Sequence, residues 1–511
     1  MTTPTDVTAV RRALPTFTLL DTGVPGLNEV LGGGLPEFSF NLIAGEPGSG
    51  KTTLCMQFLF ANATVARPGL FITLLGETSL KMLRYQQRFS FFHREQVGSA
   101  VHFLNLSEDA LEGDLDVVKQ QIEAEVERLR PGVVVVDSFG SLLHGASVGN
   151  RESSVEQFVQ QLALQLTTWE ITSLLIGEYE AKETRNPVFT VADGIIRLVQ
   201  AVDRNSVVRK LQVMKARGLA HMPGLHTLKL TDDGVIVYPR VPITRREARA
   251  RDEKRLGTGI SGLDALMGGG IPAGNAVVLA GPTGSGKTTF AVQFVAEGLR
   301  EGESAVIAVF EEHPEIYLAR ATAMGTELKD AVSTDRLRMI YLRPLDLSVD
   351  ETLQEIRDAV EQIGATRVVI DSISGFEMAL APTFREDFRE SLYRLIGTLT
   401  GIGVTIYSTV EVVEHERFQI TGHGVSFLTD VILSQRFVEI EGELRKALVI
   451  VKMRGSNHSR DFWAYESSAT GIVLGSTLRE YDRVVTGLPV RQLRAAAPSR
   501  EHSHPDTNGT P

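Results

Sequence analysis

The sequence predicts an α/β protein made of two tandem copies of one domain. Each copy is expected to hold a mostly parallel sheet, flanked by helices and extended by antiparallel strands at one edge. Three observations predict this class: a glycine-rich loop occurs twice, strand and helix patterns alternate after each loop, and landmarks of one half recur in the other. A chain of 511 residues also exceeds what one core usually holds.

The duplication is visible in ungapped matches. TGVPGLNEVLGGGLP at residues 22–36 matches TGISGLDALMGGGIP at residues 258–272, and Lys51 and Lys287 stand at the same spacing of 236 residues (287 − 51). The runs VVVVDS and VVIDS, and the segments VMKARG and IVKMRG, recur in the same order at nearly the same spacing. We therefore predict a duplicated domain rather than a short solenoid repeat.

The polar segment between the copies predicts a solvated linker, because it is rich in charges and nearly free of large apolar side chains. The last stretch is polar and rich in Pro, Ser and His, which is typical of disorder. The predicted bounds are a tail at 1–17, a first domain at 18–243, a linker at 244–255, a second domain at 256–485 and a disordered tail at 486–511.

Alternating patterns set the order of elements within each copy. In the first copy FNLIAG, GLFITLL, AVHFLNL, VVVVDS and TSLLIGEY are short apolar runs typical of buried strands, and amphipathic helical patterns separate them. GIIRLVQ, KLQVMKA and TLKLT…GVIVY follow as consecutive strands. The alternation predicts the parallel sheet, and the final run predicts its antiparallel extension.

The two loops, GEPGSGKTT and GPTGSGKTT, fit the phosphate-binding pattern G-x-x-x-x-G-K-[ST]. Glycines let the backbone amides approach a phosphate, the lysine reaches the β- and γ-phosphates, and the hydroxyl ligates Mg²⁺. We therefore predict ATP and Mg²⁺ as cofactors. The predicted nucleotide-binding residues are Gly45, Gly48, Ser49, Gly50, Lys51, Thr52, Thr53, Gly281, Thr283, Gly284, Ser285, Gly286, Lys287, Thr288 and Thr289.

Asp137 and Asp371 each end an apolar strand downstream of a loop. An acidic residue at this place usually supports Mg²⁺ together with the loop hydroxyl, here Thr52 or Thr288. The other interpretation is an aspartate that only caps its strand, and the loops upstream favour the magnesium role.

Hydrolysis needs a carboxylate that orients or deprotonates the attacking water. The second copy offers Glu311 and Glu312 after an apolar strand, VIAVF. In the first copy, FITLLGETS, one extra residue intervenes, Gly76 takes the place of Glu311, and Glu77 matches Glu312. We expect the first site to bind ATP but to hydrolyse it differently or slowly.

Lys215 and Arg217, and likewise Lys452 and Arg454, lie late in each copy, far in sequence from their own loops. One interpretation is that they are charges on an edge strand. The other is a catalytic role at a neighbouring subunit's nucleotide, with the arginine acting as a finger in trans. The second interpretation requires an oligomer.

Bulk composition narrows the class of partner. The net charge of −11 argues against a surface devoted to nucleic acid, and no apolar run has the length of a membrane span. The single cysteine, Cys55, excludes a disulfide framework within the chain and suits a reducing cytoplasm. We predict a cytoplasmic protein that assembles with itself and binds an unidentified signalling protein rather than nucleic acid or a membrane.

The segments TGISGLDALMGGGIP, EE after the following strand, VVIDS and KMRGSNHS together resemble the KaiC family, over residues 18–481. The resemblance implies tandem RecA-like ATPase domains in a homohexamer of two stacked rings, with ATP held between subunits. By this likeness Lys452, Met453, Arg454, Ser456 and His458 reach a neighbour's nucleotide, and Lys215 and Arg217 do so in the first ring.

Clock members of that family also phosphorylate themselves on an adjacent Ser-Thr pair in the second domain. Here the matching segment ITGHGVSFLTD carries Ser426 followed by Phe427, with Thr421 upstream. An ordered cycle on two adjacent hydroxyls is therefore not available. The sequence leaves two interpretations of Ser426 open: a single phosphoacceptor and a structural serine.

The favoured function is thus a ring ATPase with serine/threonine autokinase activity, used in signalling or regulation. A RecA-like or helicase-like DNA-dependent ATPase is the alternative from another class, and the acidic composition argues against it. A nucleotide-gated scaffold is a third role, compatible with the first.

Overall fold

A computed structural model provides the three-dimensional description of the chain. It describes residues 17–74, 79–106, 115–137, 151–178, 188–203, 206–240, 254–342, 348–380, 388–412, 429–486 and 489–491. These residues fall into two compact units, the first mainly residues 1–242 and the second mainly residues 243–511.

The first unit alternates strands and helices in the predicted order. Its strands are β1 (Leu19–Leu20), β2 (Leu35–Pro36), β3 (Phe40–Gly45), β4 (Gly69–Thr73), β5 (Val101–Asn105), β6 (Val133–Asp137), β7 (Thr172–Gly177), β8 (Gly194–Asp203), β9 (Ser206–Ala216), β10 (His226–Thr231) and β11 (Gly234–Tyr238). Its α-helices are Leu27–Leu31, Lys51–Asn62, Ser79–Gln86, Leu115–Leu129, Arg151–Thr168 and Val188–Val191.

Nine of these strands form one sheet in the order β11-β10-β9-β8-β3-β7-β6-β4-β5. The strands from β8 to β5 pair in parallel, whereas β8, β9, β10 and β11 pair antiparallel in succession. The loop strand β3 thus lies at the centre, with the antiparallel extension on one side.

The second unit repeats this plan. Its strands are β12 (Arg255–Leu256), β13 (Ile271–Pro272), β14 (Ala276–Gly281), β15 (Ala305–Val309), β16 (Leu337–Tyr341), β17 (Arg367–Asp371), β18 (Thr405–Glu411), β19 (Val431–Ile440), β20 (Glu443–Met453), β21 (Trp463–Ser468), β22 (Gly471–Thr477), β23 (Tyr481–Asp482) and β24 (Val490–Arg491). Its α-helices are Leu263–Leu266, Lys287–Arg300, Pro314–Ala323, Leu328–Ser333, Val349–Ile363, Ile373–Ala379 and Phe388–Gly401.

Its nine-stranded sheet has the order β16-β15-β17-β18-β14-β19-β20-β21-β22, which is the order of the first sheet element for element. The predicted fold class and the duplication are therefore confirmed.

Strand alternation explains why both faces of each sheet are covered. In β3, Ile43 packs in one buried cluster with Phe58 of the loop helix, while its neighbour Leu42 packs in a second cluster with Leu162 and Leu166. Since successive side chains of a strand point to opposite faces, an unbroken apolar run fits a strand buried on both sides. Among the described residues, no helix is long and apolar enough to cross a membrane.

Candidate nucleotide-binding sites

The phosphate loop of the first unit joins the carboxyl end of β3 to the helix that begins at Lys51. Gly50 precedes that helix with φ of 102°, and Gly286 takes the same place in the second unit with φ of 100°, a conformation that favours glycine. Neither helix has a side chain that caps its first turn. The free amides at each helix start are therefore directed at the space where an anion would lie.

Lys51 is held inside its loop. Its Nζ donates to the carbonyls of Gly45 and Glu46, both at 2.8 Å, and its side chain is buried. Burial lowers the pKa of Lys51, and the nearby carboxylates of Glu178 and Asp137 oppose that shift. The Lys51 ammonium group is held by neutral carbonyl oxygens, so a bound phosphate would supply a negative charge to balance it.

Thr52 and Asp137, which the sequence predicts as Mg²⁺ ligands, lie together in the first site. Asp137 ends β6, and its Oδ2 accepts a hydrogen bond of 2.8 Å from the Thr52 hydroxyl. Mg²⁺ prefers a few oxygen ligands completed by phosphate and water, and these two groups meet that need. In the described residues no group of three His, Cys, Asp or Glu side chains could hold a metal ion by itself.

Lys287 repeats the arrangement of Lys51. Its Nζ donates to the carbonyls of Gly281 at 3.0 Å and Pro282 at 2.9 Å. Burial lowers the pKa of Lys287, against the opposing effect of Glu411, Asp371 and Glu311 in that order. This cluster of carboxylates marks the acidic side of the second site.

The two loops differ in how their serines are paired. Ser285 Oγ lies within hydrogen-bond distance of the Pro282 carbonyl, at 2.8 Å, and of Oε1 of Gln435, at 2.7 Å. Ser49 is fully buried, and its Oγ has no hydrogen-bond partner in the part of the chain that the structure describes. The strand registers place Leu198 where the second unit has Gln435. The first loop therefore keeps a buried hydroxyl for an incoming anion, which fits a phosphate ligand.

The second acidic corner has its own set of partners. Asp371 ends β17, and its Oδ1 accepts a hydrogen bond of 2.5 Å from the buried hydroxyl of Thr409 on β18. The first unit has Ile176 at the position of Thr409. The loop hydroxyl holds the aspartate in the first site, whereas a neighbouring strand holds it in the second.

The adjacent carboxylates Glu311 and Glu312 lie in different surroundings. Glu311 accepts a hydrogen bond of 2.9 Å from Ser372, directly after Asp371, and lies within electrostatic range of Lys287. Glu312 forms an ion pair with Arg320 at 2.5 Å. The geometry thus favours Glu311 over Glu312 as the carboxylate near the phosphates.

In the first unit the corresponding carboxylate, Glu77, and its neighbour Gly76 lie outside the described residues. The strands before them end in step: Thr73 pairs with Asp137 as Val309 pairs with Asp371, and each is followed by a buried residue, Leu74 or Phe310. The extra residue of the first copy therefore follows Leu74. The role of Glu77 stays a prediction.

The four late-strand cations lie at the opposite end of the sheet from their own loops. Lys215 pairs with Ile195 and Lys452 with Ile432, near the amino ends of the parallel strands. Each loop follows the carboxyl end of its central strand, and the five-residue step from Phe40 to Gly45 alone spans about 17 Å. This distance exceeds the reach of a lysine or arginine side chain.

An aspartate anchors each arginine at that end, half-buried in the first unit and buried in the second. Asp193 accepts from the Phe40 amide at 3.1 Å and from the Arg217 guanidinium at 3.0 Å. Asp430 does the same for the Ala276 amide at 3.1 Å, and its other oxygen lies 3.6 Å from Arg454. The arginine side chains are still 61% and 51% exposed.

The strands that carry these cations are interior in the sheet, not at its edge. However, β9 pairs with β10 only over 209–211 and β20 pairs with β21 only over 446–448, so the ends with the cations are paired on one side. A β-bulge at Met214 or Val451 comes directly before each lysine and changes the direction of its side chain. The interpretation that these cations lie on an edge strand is therefore corrected, because β10 and β21 pair with the outer sides of β9 and β20.

The other residues assigned by resemblance are placed as follows. Met453 is 6% exposed and belongs to the apolar core of its own unit, so its side chain is occupied there. Ser456 accepts a hydrogen bond of 2.9 Å from Arg255, and His458 Nδ1 lies 3.5 Å from the Ser456 carbonyl. Thr421, Ser426 and Phe427 lie outside the described residues.

Sequence reasoning missed two carboxylates beside the loops. Glu411 ends β18, level with Gly281, and accepts a hydrogen bond from the Thr283 hydroxyl. Glu178 follows β7 at the equivalent place, one residue beyond the pair Ala44–Gly177. A glutamate after each of these strands, TSLLIGE and TIYSTVE, is the only sign of the pair in the sequence.

These loops, lysines and acidic strand ends on a duplicated α/β fold define a P-loop nucleotide-binding protein. The sequence model of the family described as "ATPase: KaiC" matches residues 20–241 and 256–479, which is most of both units. The chain therefore belongs to the KaiC family of ATPases.

Among its relatives is the circadian clock oscillator protein KaiC of Rippkaea orientalis (strain PCC 8801 / RF-1), 27% identical over 493 residues, covering 92% of this chain and 91% of that protein. Proteins of the same name occur in Prochlorococcus marinus (strain MIT 9313), at 27% identity over 92% of this chain and 95% of the relative, and in Synechococcus elongatus (strain ATCC 33912 / PCC 7942 / FACHB-805), at 26% identity over 92% and 91%.

Proposed function

We propose that the chain is a ring-forming ATPase that binds Mg²⁺-ATP at both phosphate loops and completes each site with cations from a neighbouring subunit. The observation that carries this proposal is the position of Arg217 and Arg454. Both are exposed and anchored at the end of the sheet remote from their own loops. If they act on a nucleotide, it is one held by another copy.

Exposed apolar side chains support assembly through the same strands. Val207 and Met214 on β9, and Leu444 and Val451 at the equivalent places on β20, are exposed large hydrophobic residues. Equivalent apolar exposure in both units is expected where one copy packs against the next. By the resemblance, the assembly is a homohexamer of two stacked rings.

In the second site the proposed division of labour follows the contacts. Lys287 and the helix amides bind the phosphates, Thr288 and Asp371 hold Mg²⁺, and Glu311 orients the attacking water. Bound Mg²⁺ would neutralise charge on the β- and γ-phosphates. A neighbour's Lys452 and Arg454 stabilise the charge that develops on the transferred phosphoryl group.

In the first site Lys51, Thr52, Asp137 and the buried Ser49 hydroxyl supply the binding groups. The carboxylate assigned to it is Glu77 alone. We expect slower turnover there, and a role as a nucleotide-gated scaffold in which bound ATP stabilises the ring and its loss alters a docking surface for a signalling protein.

Autokinase activity in the second ring is the finer part of the proposal. It rests on the family resemblance and on Ser426, the hydroxyl of the matching segment. Incubation with labelled Mg²⁺-ATP followed by peptide mass mapping is expected to place phosphate on Ser426 and to lose it in Ser426→Ala. Phosphate confined to other residues would remove the kinase assignment and leave the ATPase intact.

The ATPase itself is tested with loop variants. Lys51→Ala and Lys287→Ala are each expected to remove the phosphate release of one site, and the double variant to remove all of it. Wild-type protein that releases no more phosphate than the double variant would refute the proposal.

A further inference from the structure

Arg255 is the last residue of the predicted linker, and the structure places it as the first residue of β12, where it makes three side-chain hydrogen bonds. Its Nη1 donates to the carbonyls of Met267 at 3.1 Å and Gly270 at 3.0 Å, and its Nη2 donates to Ser456 Oγ at 2.9 Å. One guanidinium therefore ties the glycine-rich turn before the phosphate loop to the segment that follows β20.

That segment begins directly after Arg454, one of the cations assigned to a neighbouring subunit's nucleotide. Ser456 stands two residues after Arg454, and its hydroxyl also approaches the Met267 carbonyl at 3.4 Å. Farther on, the Ser459 amide donates to the Leu266 carbonyl at 2.9 Å. The turn after Arg454 is thus held at Ser456 and at Ser459, and Arg255 supplies the only charged group among the described residues in this set of contacts, which we call the clamp.

The first unit keeps the backbone part of the clamp and lacks the charged part. Met222, at the position of Ser459, donates to the Val30 carbonyl at 2.8 Å. Leu19 and Leu219 stand where the second unit has Arg255 and Ser456, judged from the paired β1–β2 and β12–β13 registers and the repeat spacing. Neither leucine side chain can form a hydrogen bond, so the polar clamp is specific to the second unit.

We infer that Arg255 is a positioning residue for the second site: through Ser456 it fixes the turn that sets the placement of Arg454 toward a neighbouring subunit's phosphates. This inference rests on the proposed function. It adds a link between the junction of the repeats and the intersubunit catalytic groups of one ring only.

Positioning has a kinetic signature that a purely structural role lacks. A misplacement of about 1 Å in a catalytic group costs roughly 100-fold in rate, while ATP binding to the neighbour's own loop is retained. Arg255→Ala is therefore expected to lower the second-site kcat by about 10- to 100-fold, with KM changed less than about threefold. Arg255→Lys keeps the positive charge but loses the forked geometry of the guanidinium, so its second-site kcat should lie between those of wild type and Arg255→Ala.

The experiment measures ATP hydrolysis by the full chain, with the second-site rate taken as the difference from Lys287→Ala. Arg255→Ala, Arg454→Ala and the double variant are compared. Arg300→Ala is a surface-arginine control that should match wild type, since Arg300 is exposed and pairs with Glu297 on its own helix. Native mass spectrometry and thermal unfolding check assembly and folding. The first-site rate, measured in the Lys287→Ala background, should not change on adding Arg255→Ala.

If Arg255 acts through Arg454, its removal has little further effect once Arg454 is alanine. Losses that multiply in the double variant, or a kcat for Arg255→Ala equal to wild type while Arg454→Ala is impaired, would overturn the inference and leave the proposed function standing. An Arg454→Ala variant with wild-type activity would overturn both.

Discussion

The adjacent carboxylates Glu311 and Glu312 allow a matched test of the second site, because they differ by one position and by their surroundings. Glu311 accepts from Ser372 and lies near Lys287, whereas Glu312 is paired with Arg320. Glu311→Gln removes the negative charge and the proton acceptor while keeping size and shape. Glu312→Gln removes only an exposed ion pair.

The expected magnitudes follow from these contacts. Loss of a positioned general base lowers a rate by roughly 100- to 10,000-fold, or about 3–5 kcal/mol of transition-state stabilisation. Glu312 pairs with Arg320 and not with a group of the phosphate loop, so its removal should cost about 0.2–1 kcal/mol of stability. Even if that whole energy were lost from the transition state, Glu312→Gln would lower kcat by about fivefold at most.

The assay is steady-state phosphate release at saturating Mg²⁺-ATP, with the rate of Lys287→Ala subtracted to isolate the second site. ATP binding, followed by the rise in unfolding temperature with added nucleotide, should survive in both variants. A Glu311→Gln protein with more than half of the wild-type second-site rate, or a larger loss in Glu312→Gln, would refute the assignment.

Three further predictions concern individual side chains. Met453→Ala should destabilise the second unit by about 2–5 kcal/mol in denaturant unfolding because the side chain is in the core. The surface variant Arg300→Ala should change stability by less than about 1 kcal/mol because it removes an exposed ion pair. The reverse order would contradict the assigned burial. Thr409→Val removes the hydroxyl that supports Asp371 and should raise the Mg²⁺ concentration for half-maximal second-site activity by about tenfold. Thr322→Val, at an exposed position, is the control. An unchanged Mg²⁺ requirement in Thr409→Val would argue against a metal role for Asp371. Burial lowers the pKa of Lys287 below its ordinary 10.5, whereas a bound phosphate favours the charged lysine. ATP binding should therefore take up a proton, and it should weaken as the pH rises above the lowered pKa. Calorimetry in two alkaline buffers of different ionisation enthalpy measures this uptake, and equal apparent binding enthalpies would contradict it.

Local patterns were sufficient for the elements and the loops. Gly50 and Gly286 permit the turn, and the Lys-Thr pair that follows each glycine supplies the positive charge and begins the helix. These features lie within a few residues, so each loop could be predicted without the rest of the chain. The unbroken apolar run of β3 likewise predicted a strand buried on both faces. Duplication then doubled each observation.

The sequence was less informative where partners come from distant segments. Thr409 approaches Asp371 only because β18 lies beside β17 in the folded sheet, and Gln435 approaches Ser285 only because β19 lies beside β14. Strand order is not written in local periodicity, so these contacts could not be predicted. The different surroundings of Glu311 and Glu312 also depend on tertiary contacts, since Glu311 meets Ser372 and Glu312 meets Arg320 of the following helix.

Met453 shows the opposite case, in which the local pattern predicts burial and the resemblance does not. Lys452, Met453 and Arg454 are successive residues at the end of a strand, so the middle side chain points to the opposite face from its neighbours. The alternation polar, apolar, polar predicts a core methionine between two outward cations, as the structure has it.

The central claim is that each second-ring site is shared between two copies, and subunit mixing tests it most directly. Lys287→Ala lacks a working loop and Arg454→Ala lacks the cation supplied to a neighbour, so each alone should have little second-site activity. When equal amounts are dissociated and reassembled together, about one quarter of the interfaces combine an intact loop with an intact arginine. The account predicts recovery of about one quarter of the wild-type second-site rate; a mixture no more active than the average of its two parents, with mixed rings present by native mass spectrometry, would contradict it.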